Sequence, residues 1–204
     1  MKKVILLLLL GWSWGELTPS SEPYQEGADV RVLIEMLEAR NRIKYYEQQL
    51  QAFLDHLAYK ESTWNPDTVN SIGYIGKYQF GRDALRDVGL FVSPSNFKKN
   101  PGIFPEELQD SAVVRLLLLN KSRLSKEMDM YIGVKINGIL ITEAGLLAAA
   151  HLAGAGGVKR FLRNPNKNPQ DIYGTSVATY LEEFSSFDIQ LQTSKNPQES
   201  RFAP

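Results

Sequence analysis

The stretch Glu61-Ser62-Thr63-Trp64-Asn65-Pro66-Asp67-Thr68-Val69-Asn70-Ser71-Ile72-Gly73-Tyr74-Ile75-Gly76-Lys77-Tyr78-Gln79-Phe80-Gly81 decides how this chain is read. Ahead of it, a helical pattern runs from Asp29 to about Tyr59 without proline or glycine. In that pattern Ile43, Tyr46, Leu50, Phe53 and Leu57 alternate three and four apart, an apolar seam that predicts burial against a core. Glu61 falls four residues after Leu57 and seven after Leu54, so the three share one helix face. A carboxyl group on an apolar face loses water, and desolvation disfavours its charged form. That is the state a general acid needs. Read alone, the same glutamate also fits a helix end facing solvent or pairing with Lys60.

The residues that follow turn the chain back. Asn65-Pro66 predicts a helix stop, because the residue before a proline disfavours the α region. Gly73 and Gly76 permit a tight turn or hairpin, which predicts Tyr78 and Gln79 close to Glu61. Ser62 and Gln79 are types that hydrogen-bond a polar ligand or hold a carboxyl group. Trp64 and Tyr74 offer flat apolar faces on which a ligand ring can stack, and each also fits plain core packing.

In this run, the order Glu-Ser, an aromatic, Asn-Pro, Val, a glycine turn and Gly-x-x-Gln resembles the catalytic stretch of lytic transglycosylases with the lysozyme-like fold. The likeness is closest to a divergent branch carrying Gly-Lys-Tyr-Gln-Phe-Gly, here Gly76 to Gly81. A second block, Leu147 to Leu162, resembles the family's later Ala-x-Tyr-Asn-Ala-Gly segment and the small helix after it. His151 stands where the family carries tyrosine, and Leu152 where it carries asparagine. His151 offers a hydrogen-bonding substitute or a satisfied core histidine; Gly154 belongs to the glycines that end the helix where a glycan can pass near backbone. Gly174 to Tyr180 resembles the place of a helix with a cleft-facing tyrosine, Tyr180. The likeness covers about Leu50 to Phe184.

The resemblance implies a mainly α fold, a lysozyme-like helical domain with at most a small β-hairpin near the active site. It implies Glu61 as the catalytic acid and Ser62, Tyr74, Tyr78, Gln79, His151, Gly154 and Tyr180 as substrate-binding residues. The substrate would be the glycan strands of peptidoglycan. Glu61 would protonate the oxygen between N-acetylmuramic acid and N-acetylglucosamine, then take the proton of the muramyl C6 hydroxyl as a 1,6-anhydro ring closes. Glycosidases usually employ two carboxylates; Asp67 on a turn and Asp83 at a helix start are weaker seconds. No metal or cofactor is implied. A hydrolytic muramidase on the same fold stays open. So does a non-catalytic peptidoglycan-binding component of a cell-envelope machine, with secretion, flagellar or phage-derived machinery as partners.

Outward from this centre the pattern stays helical. It predicts helices over Arg82 to Val88, from Pro105 through Leu108, Ala112, Leu116 and Leu119, and from Glu143 to Leu152 behind a Thr142 cap. Short helices follow at Val158 to Leu162 and Val177 to Phe184, with loops at Ser93 to Phe104 and Asn164 to Gln170, and a turn or small hairpin at Gly133 to Gly138. Lys2, Lys3, the apolar run from Val4, and Ser13 with Gly15 read as an export signal over 1–15. Extended to Trp14, that run has 11 residues, against roughly 20 needed to span a bilayer. The expected order is therefore signal 1–15, linker 16–28, helical extension 29–49, catalytic domain 50–187 and disordered tail 188–204, with a periplasmic or secreted location and no stable membrane insertion. Composition excludes several classes. No cysteine is present, which removes disulfides, thiolate metal sites and cysteine nucleophiles. Two histidines, His56 and His151, are too few for a multi-histidine metal site. Basic and acidic residues balance at 23 each, so nothing announces a nucleic-acid partner.

Overall fold

The apolar seam ahead of Glu61 lies on one helix, α1 (Glu26–Ser62). The computed structural model describes residues 26–168, 170 and 174–191. The expected signal 1–15, most of the linker and the tail beyond 191 lie outside the described residues. The chain divides into two units, 1–40 and 41–204. In the first, the described residues are helical, and Val30, Leu33 and Leu37 are exposed. In the second, the seam is buried only from its middle onward: Phe53 and Leu57 are fully buried, Leu50 is packed partly on the core, and Ile43 is exposed. Period predicts a face, but a face is buried only where there is chain to cover it.

The remaining elements are short helices around one longer buried one. They are α2 (Arg82–Asp87), α3 (Pro94–Lys99), a 3₁₀ turn (Pro101–Ile103), α4 (Glu106–Arg123), α5 (Ser125–Tyr131), β1 (Lys135–Ile136), β2 (Ile139–Leu140), α6 (Glu143–Arg163) and α7 (Val177–Glu183). The fold is mainly α, with one two-stranded antiparallel sheet that pairs Lys135 with Leu140 and Ile136 with Ile139. No helix among the described residues is long and apolar enough to cross a membrane.

Helix α6 organises the core. Thr142 caps it by accepting a hydrogen bond from the Gly145 amide at 3.1 Å. Leu146, Leu147 and Ala148 to Ala150 are buried, and the small side chains let α4 and α7 pack on the helix. Gly145 has no room for a side chain, since a Cβ there would lie 2.7 Å from the Leu181 carbonyl oxygen. At Gly154 the backbone leaves the helical region, with φ 66° and ψ 163°, a conformation nearly reserved for glycine. The expected break after Leu152 is thus a kink at one residue, and helix resumes through Arg163.

Several expected boundaries are corrected. The linker 16–28 ends early, because helix begins at Glu26. The unit boundary falls after Arg40, not at 49/50. The tail does not start at 188: Ile189 and Leu191 are buried, and Lys121 Nζ donates to the Leu191 carbonyl at 2.6 Å. The loop expected over 93–104 contains α3 and the 3₁₀ turn, capped by Ser93 and Asn100. The small sheet at 135–140 sits in the stretch read as a turn or hairpin, and the segment after Glu61 contributes only single bridges, Val69 to Ile75 and Ile75 to Phe80.

Candidate active site

Glu61 occupies the last turn of α1, with its side chain 15% exposed. The helix stops immediately after it. Thr63 and Trp64 take left-handed backbone at φ 55° and 59°, and their amides donate back to the Tyr59 and Ala58 carbonyls at 2.9 and 3.2 Å. Such values are uncommon outside glycine, and most so for a β-branched threonine. Gln79, at the other end of the segment, is also left-handed at φ 50°. Strain of this kind clusters where a structure holds side chains for a purpose.

Two helices bring partners to the carboxyl group. From α7, the Tyr180 hydroxyl donates to Glu61 Oε1 at 2.6 Å. From α6, His151 Nε2 lies 3.9 Å from the same oxygen. That nitrogen donates to the Tyr78 carbonyl at 2.8 Å, and since a carbonyl only accepts, the proton belongs on Nε2. The other ring nitrogen, Nδ1, is buried without a hydrogen-bond partner among the described residues. Tyr180 is buried, stacks on Phe184 at 5.5 Å between centroids, and lies under the Lys60 ammonium at 5.0 Å. Lys60 and His56 both donate to Glu183, at 2.6 and 2.8 Å. Burial raises the Glu183 carboxyl, but those two hydrogen bonds outweigh it and hold the group below its ordinary range. The pairing of Glu61 with Lys60 left open above does not form; Lys60 goes to Glu183.

A cavity of about 660 Å³ adjoins this centre through His151. Gln79, Gly154 and the half-exposed Tyr74 also line it. The Tyr74 ring covers Gly81, where a Cβ would sit 3.2 Å from the ring. Gln79 donates its amide to the Gly76 carbonyl at 2.8 Å, which fixes the turn. Tyr74, Gln79, His151 and Gly154 therefore line one cavity, whose lining does not include Glu61 or Tyr180; the Tyr180 hydroxyl is on the carboxyl group itself.

Ser62 and Tyr78 are not brought to the cavity. The Ser62 hydroxyl donates to the Lys77 carbonyl at 2.7 Å and ties the end of α1 to the turn. The Tyr78 ring is buried, and its hydroxyl donates to Asp110 at 2.8 Å. Burial first, then the Asp110 carboxylate, push that phenol far up, so it stays neutral. Both residues serve the site through backbone: Ser62 grips one carbonyl, and the carbonyl of Tyr78 holds His151. Trp64 is half exposed, packs on Tyr59 and donates its indole N–H to the Asp55 carbonyl at 3.0 Å.

Three residues not singled out from the sequence matter here. Gln109 is fully buried; its Oε1 accepts from the Lys77 amide at 2.6 Å, and its Nε2 donates to the Pro66 and Phe104 carbonyls at 2.9 and 2.8 Å. It fills the place where a Cβ on Gly76 would go. Asn120 on α4 is buried, lines the cavity, and its amide nitrogen has no partner among the described residues. Asn120 follows Ala112 and Leu116 in one apolar stripe, so its polarity at a core position was the available signal. Arg123, one turn on, donates to Asp87 at 2.6 Å at the cavity rim, and this hydrogen bond lowers the Asp87 carboxyl. Among the described residues no group of three or more acidic or histidine side chains is placed to hold a metal.

Comparisons with protein-family models, with curated proteins and with solved structures find no match to this chain.

Proposed function

We propose that the chain is a peptidoglycan lytic transglycosylase that cleaves the β-1,4 bond between N-acetylmuramic acid and N-acetylglucosamine. The observation that carries this reading is the setting of Glu61. Its carboxyl group is mostly withdrawn from water, one oxygen is held by the Tyr180 hydroxyl, and no described residue hydrogen-bonds Oε2. A group that must give a proton and later accept one needs one oxygen fixed and the other free.

Glu61 would protonate the glycosidic oxygen through Oε2 as the bond to the muramyl anomeric carbon breaks. The carboxylate left behind, steadied by Tyr180, would then take the proton from the C6 hydroxyl as that oxygen closes the 1,6-anhydro ring. Water is not consumed. Nearby acids support one carboxyl group doing both jobs: Asp83 and Asp87 line the cavity but are paired with Arg86 and Arg123, and Asp67 is exposed on its turn. A two-carboxylate hydrolase would need a second acid across the scissile bond. The reading carries with it residues 1–15 as an export signal and a periplasmic or secreted location, where the substrate is.

Mass spectrometry of digested, purified sacculi tests the reaction type. Fragments ending in 1,6-anhydro-muramic acid are expected. Fragments heavier by one water throughout would make the protein a muramidase, and an undigested sacculus to which it binds would make it a non-catalytic component.

A further inference from the structure

We infer that α1 carries a self-association seam, on which a second copy of this chain docks antiparallel over Val32 to Ile43. The inference is independent of the glycan reading and holds whatever reaction Glu61 performs.

The spacing that buries Leu50, Phe53 and Leu57 starts well upstream of Ile43. Val32, Met36, Ala39, Ile43 and Tyr46 precede Leu50 at alternating steps of four and three, so one heptad seam runs from Val32 to Leu57. Burial divides it. Phe53 and Leu57 are fully buried on the chain's own core, whereas Val32, Met36 and Ile43 are 54, 65 and 60% exposed. Ala39 and Tyr46 are partly exposed. Val30, Ile34 and Leu37 are exposed too, but their row continues as Asn41 and Lys44 and turns polar. Only the Val32 row stays apolar until it reaches the core. An apolar row of this length left in water is the mark of an interaction surface.

Charge beside the seam selects the occupant. Glu35 and Arg42 flank it on one side, Leu33 and Arg40 on the other. Among the described residues none of these three charged groups is in an ion pair. An antiparallel copy that sets Val32 on Ile43 and Met36 on Ala39 covers the exposed row from end to end, with the long methionine over the small alanine. The same register sets Glu35 beside Arg42 twice, once on each side of the two-fold axis, and lays Leu33 on the aliphatic stem of Arg40. Sliding the copy by one heptad removes the match. One direction puts Glu35 beside Glu35; the other puts Arg42 beside Arg42 and Arg40 beside Arg40. A parallel, in-register copy would also match charges, Glu35 with Arg40 and Arg42 with Glu47. It would, however, bring its α1 against Leu50, Phe53 and Leu57, a face this chain's own core already covers.

Sedimentation equilibrium of the full-length protein over a range of concentrations tests this. A monomer–dimer equilibrium in the micromolar range is expected, because about three helical turns make an interface smaller than the standard size. Ile43→Glu puts a carboxylate against Val32 in both symmetric layers and is expected to weaken the dimer at least about 100-fold. Ile43 is exposed in the single chain, so the circular dichroism spectrum of this variant at dilute concentration should match wild type. Glu35→Arg and Arg42→Glu each oppose like charges in both pairs, and each is expected to weaken the dimer about tenfold. The double variant restores both pairs and should dimerise like wild type; an equimolar mixture of the two single variants should do the same. In the parallel arrangement the double variant would be weaker still. A wild-type protein that stays monomeric throughout, its seam covered from within the chain or by a different protein, would overturn the inference. So would association that survives Ile43→Glu, or a double variant no better than the single ones.

Discussion

Tyr180 and His151 approach the same oxygen of Glu61 from two helices, but at different distances, 2.6 and 3.9 Å. The shorter contact is the one expected to matter for holding the carboxyl group. Tyr180→Phe removes a hydrogen bond to a charged acceptor, of the order of 1.5–3 kcal/mol, and is predicted to slow cleavage by about tenfold or more. The ring stays stacked on Phe184, so the loss of stability should not exceed that of the one hydrogen bond, a few degrees in melting temperature; a larger fall in stability with normal activity would contradict this role. At Gly154 the backbone sits in a region other residues avoid, although a Cβ there would meet nothing within 4 Å. Gly154→Ala is therefore predicted to cost about 1–3 kcal/mol from backbone strain alone, measurable by urea denaturation. At this scale the chain was legible in placement: Glu61 does close the first core helix, and Gln79 and Gly154 do line one cavity. It misled at Ser62 and Tyr78, whose side chains bond within the protein, a choice fixed by Asp110 and by the Lys77 carbonyl arriving from elsewhere. Asn120 escaped notice because its one signal, a polar type in the stripe after Ala112 and Leu116, equally fits a helix position facing solvent.

Among the elements, the turn after α1 is held by Gln109 from α4, which bonds the Lys77 amide and two carbonyls. Gln109→Leu leaves three buried backbone groups without partners, and is predicted to destabilise the protein by on the order of 3 kcal/mol, read as a lower urea midpoint. Helix α7 is held against α1 by Lys60 and His56 on Glu183, one turn beyond Tyr180. The folded protein lowers the Glu183 carboxyl, so its contribution is fully present above the unfolded value and is lost as pH falls through the folded one. Acid below the ordinary glutamate range, ~4.3, should thus weaken the α7 anchor. Glu183→Gln should flatten that part of the stability–pH curve, and an unchanged curve would contradict it. Long helices were legible from their period, and the Thr142 cap from its residue type. The short α3 was not, because six residues show no period; the stretch Ser93 to Phe104 was expected to be a loop, although Pro94 starts a helix and Pro101 a 3₁₀ turn.

Over the whole molecule, the mainly α architecture with one small sheet follows from the spacing of apolar residues. What spacing could not supply was extent: which part of the α1 seam is covered, where the unit ends, and that Ile189 and Leu191 return to the core. These depend on distant chain. The cavity is likewise a product of packing, since its wall is drawn from the turn after α1, from α2, α4 and α6. The most direct measurement of the central claim is clearance of purified sacculi by wild type and by Glu61→Gln at equal folded concentration, with melting curves for both. The account predicts coincident melting curves and a rate lowered on the order of 10³-fold in the variant. A well-folded Glu61→Gln protein clearing sacculi as fast as wild type would contradict it.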